Sequence, residues 1–333
     1  DWAVQARHGP TIEGFDDPGF IDYTRPIRGG PVDVGFDYFY GIASSLNIPP
    51  FCFIENDRVV SIPTIPVERP ETFWEGKPEG LMSEDWDFAQ VDVVHTRKAI
   101  DFMEQAASSD DPFFLYLSLS APHSPWIPPD FIRGTSGIGE RADLIRLIDW
   151  SVGEIETFLQ ARGVKDNTLI ILSSDNGGIT FDFESEVYGH KANGDLRGGK
   201  AEIWEGGHRV PLVMRWPGRI PPGTQSDALA SQMDFFATFA DLLEKPLPTK
   251  GAEDSVSILP LLMKPDDAPP PRQYLVNHSV RGRFALRDGP WKLIDAVDSG
   301  AHRYRSWRTP VPGEPDGMLF NLQEDLSESR NLW

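Results

Sequence analysis

Thr168-Leu169-Ile170-Ile171-Leu172-Ser173-Ser174-Asp175-Asn176-Gly177-Gly178 is an apolar run that ends abruptly in an acid, an amide and two glycines. Apolar residues on both faces suit a strand buried in a parallel sheet. The polar tip suits the carboxyl end of such a strand, where α/β proteins gather their ligands. A second run, Phe113-Phe114-Leu115-Tyr116-Leu117-Ser118-Leu119, has the same character and stops at Ala121-Pro122-His123-Ser124-Pro125. Proline cannot continue a central strand because it lacks the ladder donor. His123 and the Asp175–Asn176 pair are therefore expected at strand tips.

Working outward, residues 139–162 read as a helix, with Leu144, Leu147, Ile148, Val152, Ile155, Phe158 and Leu159 on one face and Gly163 as the stop. Residues 86–107 read as another, with Ser83 as its N-cap. A third strand is expected at Val210–Trp216 and a third helix over 226–244. Helices alternating with buried strands predict an α/β layered fold. The Pro-rich connector near 265–271 predicts a boundary between a core, 1–265, and a small C-terminal subdomain, 266–333. Phe284–Leu286 and Trp291–Ile294, joined through Asp288-Gly289, predict an antiparallel hairpin there. Residues 1–50, rich in Gly, Pro and Asp, read as ordered loop with short elements.

Bulk properties narrow the function. The 333 residues carry a net charge of −20, which argues against nucleic acid as a partner. An anion site in so acidic a chain needs a local basic cluster, and one lies between Lys191 and Arg209. No apolar run approaches the roughly 18 residues of a membrane span. No basic start followed by an apolar region marks a secretory signal. The single cysteine, Cys52, rules out an intrachain disulfide and sits in the apolar run Phe51-Cys52-Phe53-Ile54, as a small buried hydrophobe would.

Several residues could do chemistry. Asp175 and Asn176 offer hard oxygen ligands, suited to calcium or magnesium rather than zinc; an Asx-turn capping the strand is the plainer alternative. His190-Lys191-Ala192-Asn193-Gly194-Asp195-Leu196-Arg197-Gly198-Gly199-Lys200 is basic and glycine-rich. Its lysines could hold a tetrahedral oxyanion while the glycines admit backbone close to it; a solvated surface loop is the alternative. His123 could serve as a general acid or donate to an oxyanion, or be structural between its prolines.

The wording and order of these segments resemble a family. Gly35-Phe36-Asp37-Tyr38-Phe39-Tyr40-Gly41, Ala121-Pro122-His123-Ser124-Pro125, Ser174-Asp175-Asn176-Gly177-Gly178, Leu196-Arg197-Gly198-Gly199-Lys200, Glu205-Gly206-Gly207-His208-Arg209-Val210-Pro211 and Asp325-Leu326-Ser327-Glu328-Ser329-Arg330-Asn331-Leu332 resemble, in sequence order, the motifs of type I, formylglycine-dependent sulfatases of the arylsulfatase-like carbohydrate kind. The resemblance implies an alkaline-phosphatase-like fold, a mixed sheet sandwiched by helices with a small C-terminal α+β subdomain. It implies calcium ligation by Asp175 and Asn176, with magnesium the lesser choice. It implies catalytic roles for His123 and Lys200 and substrate contacts for His190, Arg197 and His278. The expected substrate is a sulfated sugar or aryl sulfate, and the expected location periplasmic or secreted.

The family's first strand, with two adjacent aspartates, and its Cys/Ser-x-Pro/Ala-x-Arg signature, whose first residue becomes formylglycine, come before the Gly35–Gly41 motif in relatives. No such signature precedes Gly35 here, and Cys52, followed by Phe53, Ile54 and Glu55, does not fit it. The expectation is that the nucleophile segment lies upstream of Asp1, so that the chain alone is inactive and the protein it derives from is active. Two alternatives stand beside it. One is a non-catalytic sulfated-glycan binder using His123, Lys191 and Lys200; the other is a phosphatase-like relative on the same fold.

Overall fold

The computed structural model describes residues 21–67, 79–109, 111–265, 268–301 and 312–333. The chain forms two compact units, Asp1–Val164 and Lys165–Trp333. Part of the expected loop region (1–20) and part of the connector (266–267) lie outside the described residues.

In the first unit, β1 (Tyr40–Ile42), β2 (Phe53–Glu55) and β3 (Arg58–Val59) form an antiparallel meander. Its tight turn places Asn56 at φ 56°, a conformation asparagine tolerates well. A second small sheet pairs β4 (Ile65–Val67) with β5 (Gly80–Met82). The meander rests on a core of Leu46, Phe51, Phe53, Val67, Trp86, Phe88 and Val91. Phe51 meets Phe88 at 4.9 Å and Phe53 meets Trp86 at 5.1 Å between ring centroids, within the range for favourable aromatic pairs. Two helices follow, α1 (Val91–Ala106) and α2 (Glu140–Ala161). Val93 of α1 packs with Leu144 and Leu147 of α2. Thr96 Oγ1 donates to Ser151 Oγ across the same interface at 2.9 Å.

Helix α2 matches the periodicity almost residue for residue. Helix α1 starts later than expected, with Gln90 and not Ser83 at its N-cap. Ser83 is instead buried and joined to Phe51, whose carbonyl accepts the Ser83 N–H at 2.9 Å and its hydroxyl at 3.4 Å. Phe113–Leu119 does not form the buried strand its composition predicts. It carries no strand assignment, and its side chains alternate between half-buried and exposed, Phe114 at 59% and Tyr116 at 72%. An apolar sequence reports that a run can be covered, not that neighbours are there to cover it.

The second unit opens with β6 (Ile170–Ser173), paired antiparallel with β7 (Leu212–Arg215) so that Ser173 faces Leu212. Both strands were expected, but β6 is neither fully buried nor in a parallel ladder. Two short helices intervene, α3 (Asp182–Tyr188) and α4 (Glu205–His208). Helix α5 (Asp234–Leu242) is shorter than the expected 226–244. Asp234 is fully buried at its start, where its carboxylate accepts the N–H groups of Ser231 and Val256 and pairs with Arg272. These bonds hold 231 and 256 in turns and fix the helix start. The short α6 (Leu259–Met263) follows.

The unit ends in a four-stranded antiparallel sheet of order β11-β10-β9-β8, from β8 (Tyr274–His278), β9 (Phe284–Asp288), β10 (Trp291–Ile294) and β11 (Met318–Asn321). The expected hairpin is β9–β10, with Asp288 opposite Trp291 across a turn whose Gly289 has φ 54°. Ile294, Met318, Phe320 and Leu322 of this sheet region share a core with Ile203 and Trp204. The hairpin expected within 266–333 thus sits in a four-stranded sheet that packs on Ile203 and Trp204, within one compact unit.

Candidate functional site

In the second unit, three glycine-rich turns interlock. The Gly177 N–H donates to Gly207 O at 3.1 Å, the Gly206 N–H to Arg197 O at 2.8 Å, and the Lys200 N–H to Gly178 O at 3.2 Å. The turns approach so closely that side chains are excluded. A Cβ at Gly177 would collide with the Gly206 carbonyl oxygen, one at Gly199 with Gly178 O, and one at Gly206 with Gly198 O. The paired glycines of the sequence are there for backbone-to-backbone contact.

Asn193 fastens two of these turns. Its Oδ1 accepts the Gly178 N–H at 2.8 Å, and its Nδ2 donates to Gly178 O at 2.8 Å and Gly198 O at 2.9 Å. Asn193 lies inside the basic loop, where nothing in the sequence alone points to this fastening role.

Asp175 is exposed at the tip of this cluster and Asn176 half-buried. The Asn176 Nδ2 donates to Gly177 O at 3.0 Å, which leaves its Oδ1 directed elsewhere. Gln232 braces the strand exit, its Nε2 bonding Ser173 Oγ at 3.0 Å and Ser174 O. The Asp175 carboxylate and the Asn176 Oδ1 have the chemistry of hard-cation ligands. Among the described residues no group of three or more His, Cys, Asp or Glu side chains gathers into a metal cage. The two oxygens thus fit calcium in kind and furnish only part of its roughly six to eight ligands.

Lys200 is half-buried and tied by its backbone to the 175–178 turn. His278 lies at the end of β8, its Nδ1 2.9 Å from Ser279 O and its ring against Phe284. Two residues on, the Val280 N–H donates to Ala201 O at 3.0 Å, so the His278 segment is joined to the Lys200 segment. His190 sits just past α3, its N–H on Glu184 O at 3.1 Å. Lys191, by contrast, pairs with Asp195 at 3.1 Å on the surface. Arg197 stacks its guanidinium 3.6 Å from the Trp204 ring centroid and donates to Glu328 O at 2.6 Å.

Beneath the turns lies a buried ionic cluster the sequence did not reveal. Lys292 Nζ donates to Ile203 O at 2.9 Å and contacts Glu205 at 3.1 Å and Glu328 at 2.7 Å. Arg287 reaches the other Glu205 oxygen at 3.3 Å. His208 belongs to the same neighbourhood. Burial first, then the Lys292 charge, push its pKa down to about 4, and its Nε2 has no hydrogen-bond partner among the described residues.

His123 stands in the first unit. Its turn hangs on Asp92, which is 5% exposed and accepts the N–H groups of Ser120 and Ala121, both at 2.8 Å. The His123 Nδ1 lies 2.7 Å from Ser124 O, fixing the ring in its turn. Asp92 is a further residue that sequence reading passed over. Cys52 is fully buried, and burial pushes its thiol up to about 12, in keeping with an inert hydrophobe. By letter, Ser299-Gly300-Ala301-His302-Arg303 meets the formylglycine signature, after the Gly35–Gly41 motif instead of before it. Ser299 is buried, and His302 and Arg303 lie outside the described residues.

Comparison with known proteins agrees with this motif pattern. The family model described as Sulfatase matches residues 22–245, and that of the N-sulphoglucosamine sulphohydrolase C-terminal region matches 199–304. An N-acetylgalactosamine-6-O-sulfatase of Bacteroides thetaiotaomicron is 31% identical over 96% of this chain and 69% of its own length. The N-acetylgalactosamine-6-sulfatase of Canis lupus familiaris is 32% identical over 70% of this chain, and the matched part is 43% of its own length. A solved Bacteroides thetaiotaomicron structure, described under glycosaminoglycan metabolism, superposes with a TM-score of 0.80 at 30% identity, covering 93% of this chain and 72% of that one. A Pseudoalteromonas sulfatase gives 0.72 at 25% identity, covering 91% of this chain and 62% of its own. The expected α/β sulfatase fold therefore holds although β6 and β7 pair antiparallel. With the Sulfatase model matching residues 22–245 and a 31%-identical sulfatase matching 96% of the chain, the chain belongs to the sulfatase family, the hydrolases of sulfuric esters.

Proposed function

We propose that this chain carries the sulfate- and cation-holding part of a carbohydrate sulfatase, acting on a sulfated amino sugar such as a 6-sulfated galactosamine. One observation carries the reading: the Lys200 backbone is bonded to Gly178, so the chain's anion-binding lysine and its acid–amide pair belong to one interlocked set of turns. The names of the relatives support the substrate class.

Asp175 and Asn176 would hold calcium through the carboxylate and the amide oxygen. Bound there, calcium would neutralise charge on the sulfate's non-bridging oxygens. Lys200 would do the same from its ammonium group, with the most effect where charge grows in the transition state. His123 would protonate the departing alcohol oxygen, its ring oriented by Ser124 O. His278 and His190 would contact the sugar. Arg197, held by Trp204 and Glu328, would shape the turn preceding Lys200. The nucleophile is proposed to be a formylglycine outside residues 1–333. Magnesium in place of calcium and a secreted or periplasmic location remain part of the same proposal.

The test joins residues 1–333 to a segment bearing a Cys-x-Pro-x-Arg signature, converted to formylglycine, and follows desulfation of 6-sulfated N-acetylgalactosamine and of an aryl sulfate. The reading expects turnover that chelator abolishes and calcium restores, and that Lys200→Ala removes. Turnover insensitive to chelator would sink the cation role of Asp175 and Asn176. Tight retention of the sulfated sugar with no turnover would favour the non-catalytic binder.

A further inference from the structure

The ionic cluster beneath the glycine turns has a task beyond neutralising itself. Glu328 is fully buried and bonds both sides of the loop above it. Its carbonyl oxygen accepts from Arg197 at 2.6 Å, before Lys200, and its Oε2 accepts the Glu205 N–H at 2.7 Å, after it. Lys292, 1% exposed, completes the clamp by bridging Glu328 and Glu205 and bonding Ile203 O. The contact then passes to the site through backbone alone. Gly206 bonds Arg197 O, and Gly207 O receives the Gly177 N–H, next to Asn176. Glu328 itself is presented inward by a turn in which the Asp325 carboxylate accepts the Arg330 N–H at 2.8 Å and the hydroxyls of Ser327 and Ser329. Glu328 takes up φ 51° there, a conformation a non-glycine residue holds only where its surroundings fix it.

A buried ion triad is weak grounds for stability, because desolvation opposes the Coulomb gain, but it can fix one arrangement of the chain. We infer that Glu328 and Lys292 are positioning residues that set the turns carrying Asp175, Asn176 and Lys200, so that the C-terminal segment fixes the shape of the site. The functional meaning of those turns rests on the sulfatase reading; the coupling between the residues does not.

Amide hydrogen exchange of the whole chain tests it. In Glu328→Gln the new NH₂ must face either the Lys292 ammonium or the Glu205 N–H, donor against donor. Exchange in peptides covering 174–178 and 196–207 should then rise about tenfold or more, while α2 and α5 keep wild-type protection. Should that variant fold poorly, Lys292→Met combined with Glu328→Leu removes both charges in similar volume and is expected to fold, with the same selective loss. Turns that keep wild-type protection in these variants overturn the proposal, as does an increase spread evenly over the second unit. Calcium-dependent desulfation by residues 1–333 joined to the formylglycine-bearing segment is measured separately. Its failure would count against the sulfatase reading and would not alter the exchange result.

Discussion

The Gly177 N–H points at the Gly207 carbonyl oxygen at 3.1 Å, and a single added methyl group at 177 would strike the Gly206 carbonyl oxygen. Asp175 and Asn176 are held in place from a turn about thirty residues away in sequence, by backbone contact that only glycine permits. Gly177→Ala should therefore cost at least about 3 kcal/mol, because the obstacle is main chain and cannot swing aside. Gly153, in the middle of α2 with open space around its Cβ position, is the control. Gly153→Ala should raise stability by about 0.5–1 kcal/mol through helix propensity. Denaturant melts of the two variants check the pair; equal effects would contradict the interlock.

The His123 turn should prove as dependent on Asp92 as the 175–178 turn is on its glycines. Asp92→Ala leaves the N–H groups of Ser120 and Ala121 without their acceptor. A loss of about 2–4 kcal/mol follows from two unsatisfied donors. Amide exchange confined to peptides around 118–124 would place the damage at that turn, whereas unchanged stability would show water replacing the carboxylate.

Acid should weaken the second unit through His208. Its folded pKa of about 4 lies below the ordinary 6.5, so the unfolded chain binds the extra proton between those values. Stability from this group is full above pH 6.5, declines as pH falls towards 4, and amounts to at most about 3 kcal/mol. His208→Gln should flatten the stability profile in that window, measured by urea melts at steps of pH. A profile that falls equally steeply in the variant would assign the acid sensitivity to other groups.

Joined to the upstream segment proposed to complete the ligand set, the chain should be stabilised by calcium only while both tip oxygens are present. Asp175 is exposed and takes no part in the interlock, so Asp175→Ala, which removes its oxygens, should leave the metal-free melting temperature unchanged. The same change should abolish the calcium-induced rise in melting temperature that binding to the folded state produces. Thermal melts with and without chelator read both effects in one experiment.

Local signals made much of this protein legible in advance. Helix α2 followed from its apolar period, the β9–β10 hairpin from Asp288-Gly289, and both β6 and β7 from their apolar runs. The motif glycines and the acid–amide tip marked the site because their chemistry is local: a side chain's absence, or an oxygen's presence, is written in the residue itself. Strand direction was not local. Ile170–Ser173 reads equally well in a parallel or an antiparallel ladder, and only Leu212–Arg215 lying beside it decided the matter. Phe113–Leu119 was apolar enough to be covered, yet burial depends on neighbours its own letters do not name. Lys292 and Glu328 look like surface charges in sequence, because a charge becomes buried only when its counterion arrives, here from 36 residues away in the chain. The sequence by itself determined the family, helix α2, the β9–β10 hairpin and which side chains were candidates for chemistry. The tertiary structure alone decided which backbone turns lock together and which charges meet beneath them, since both depend on contacts between segments far apart along the chain.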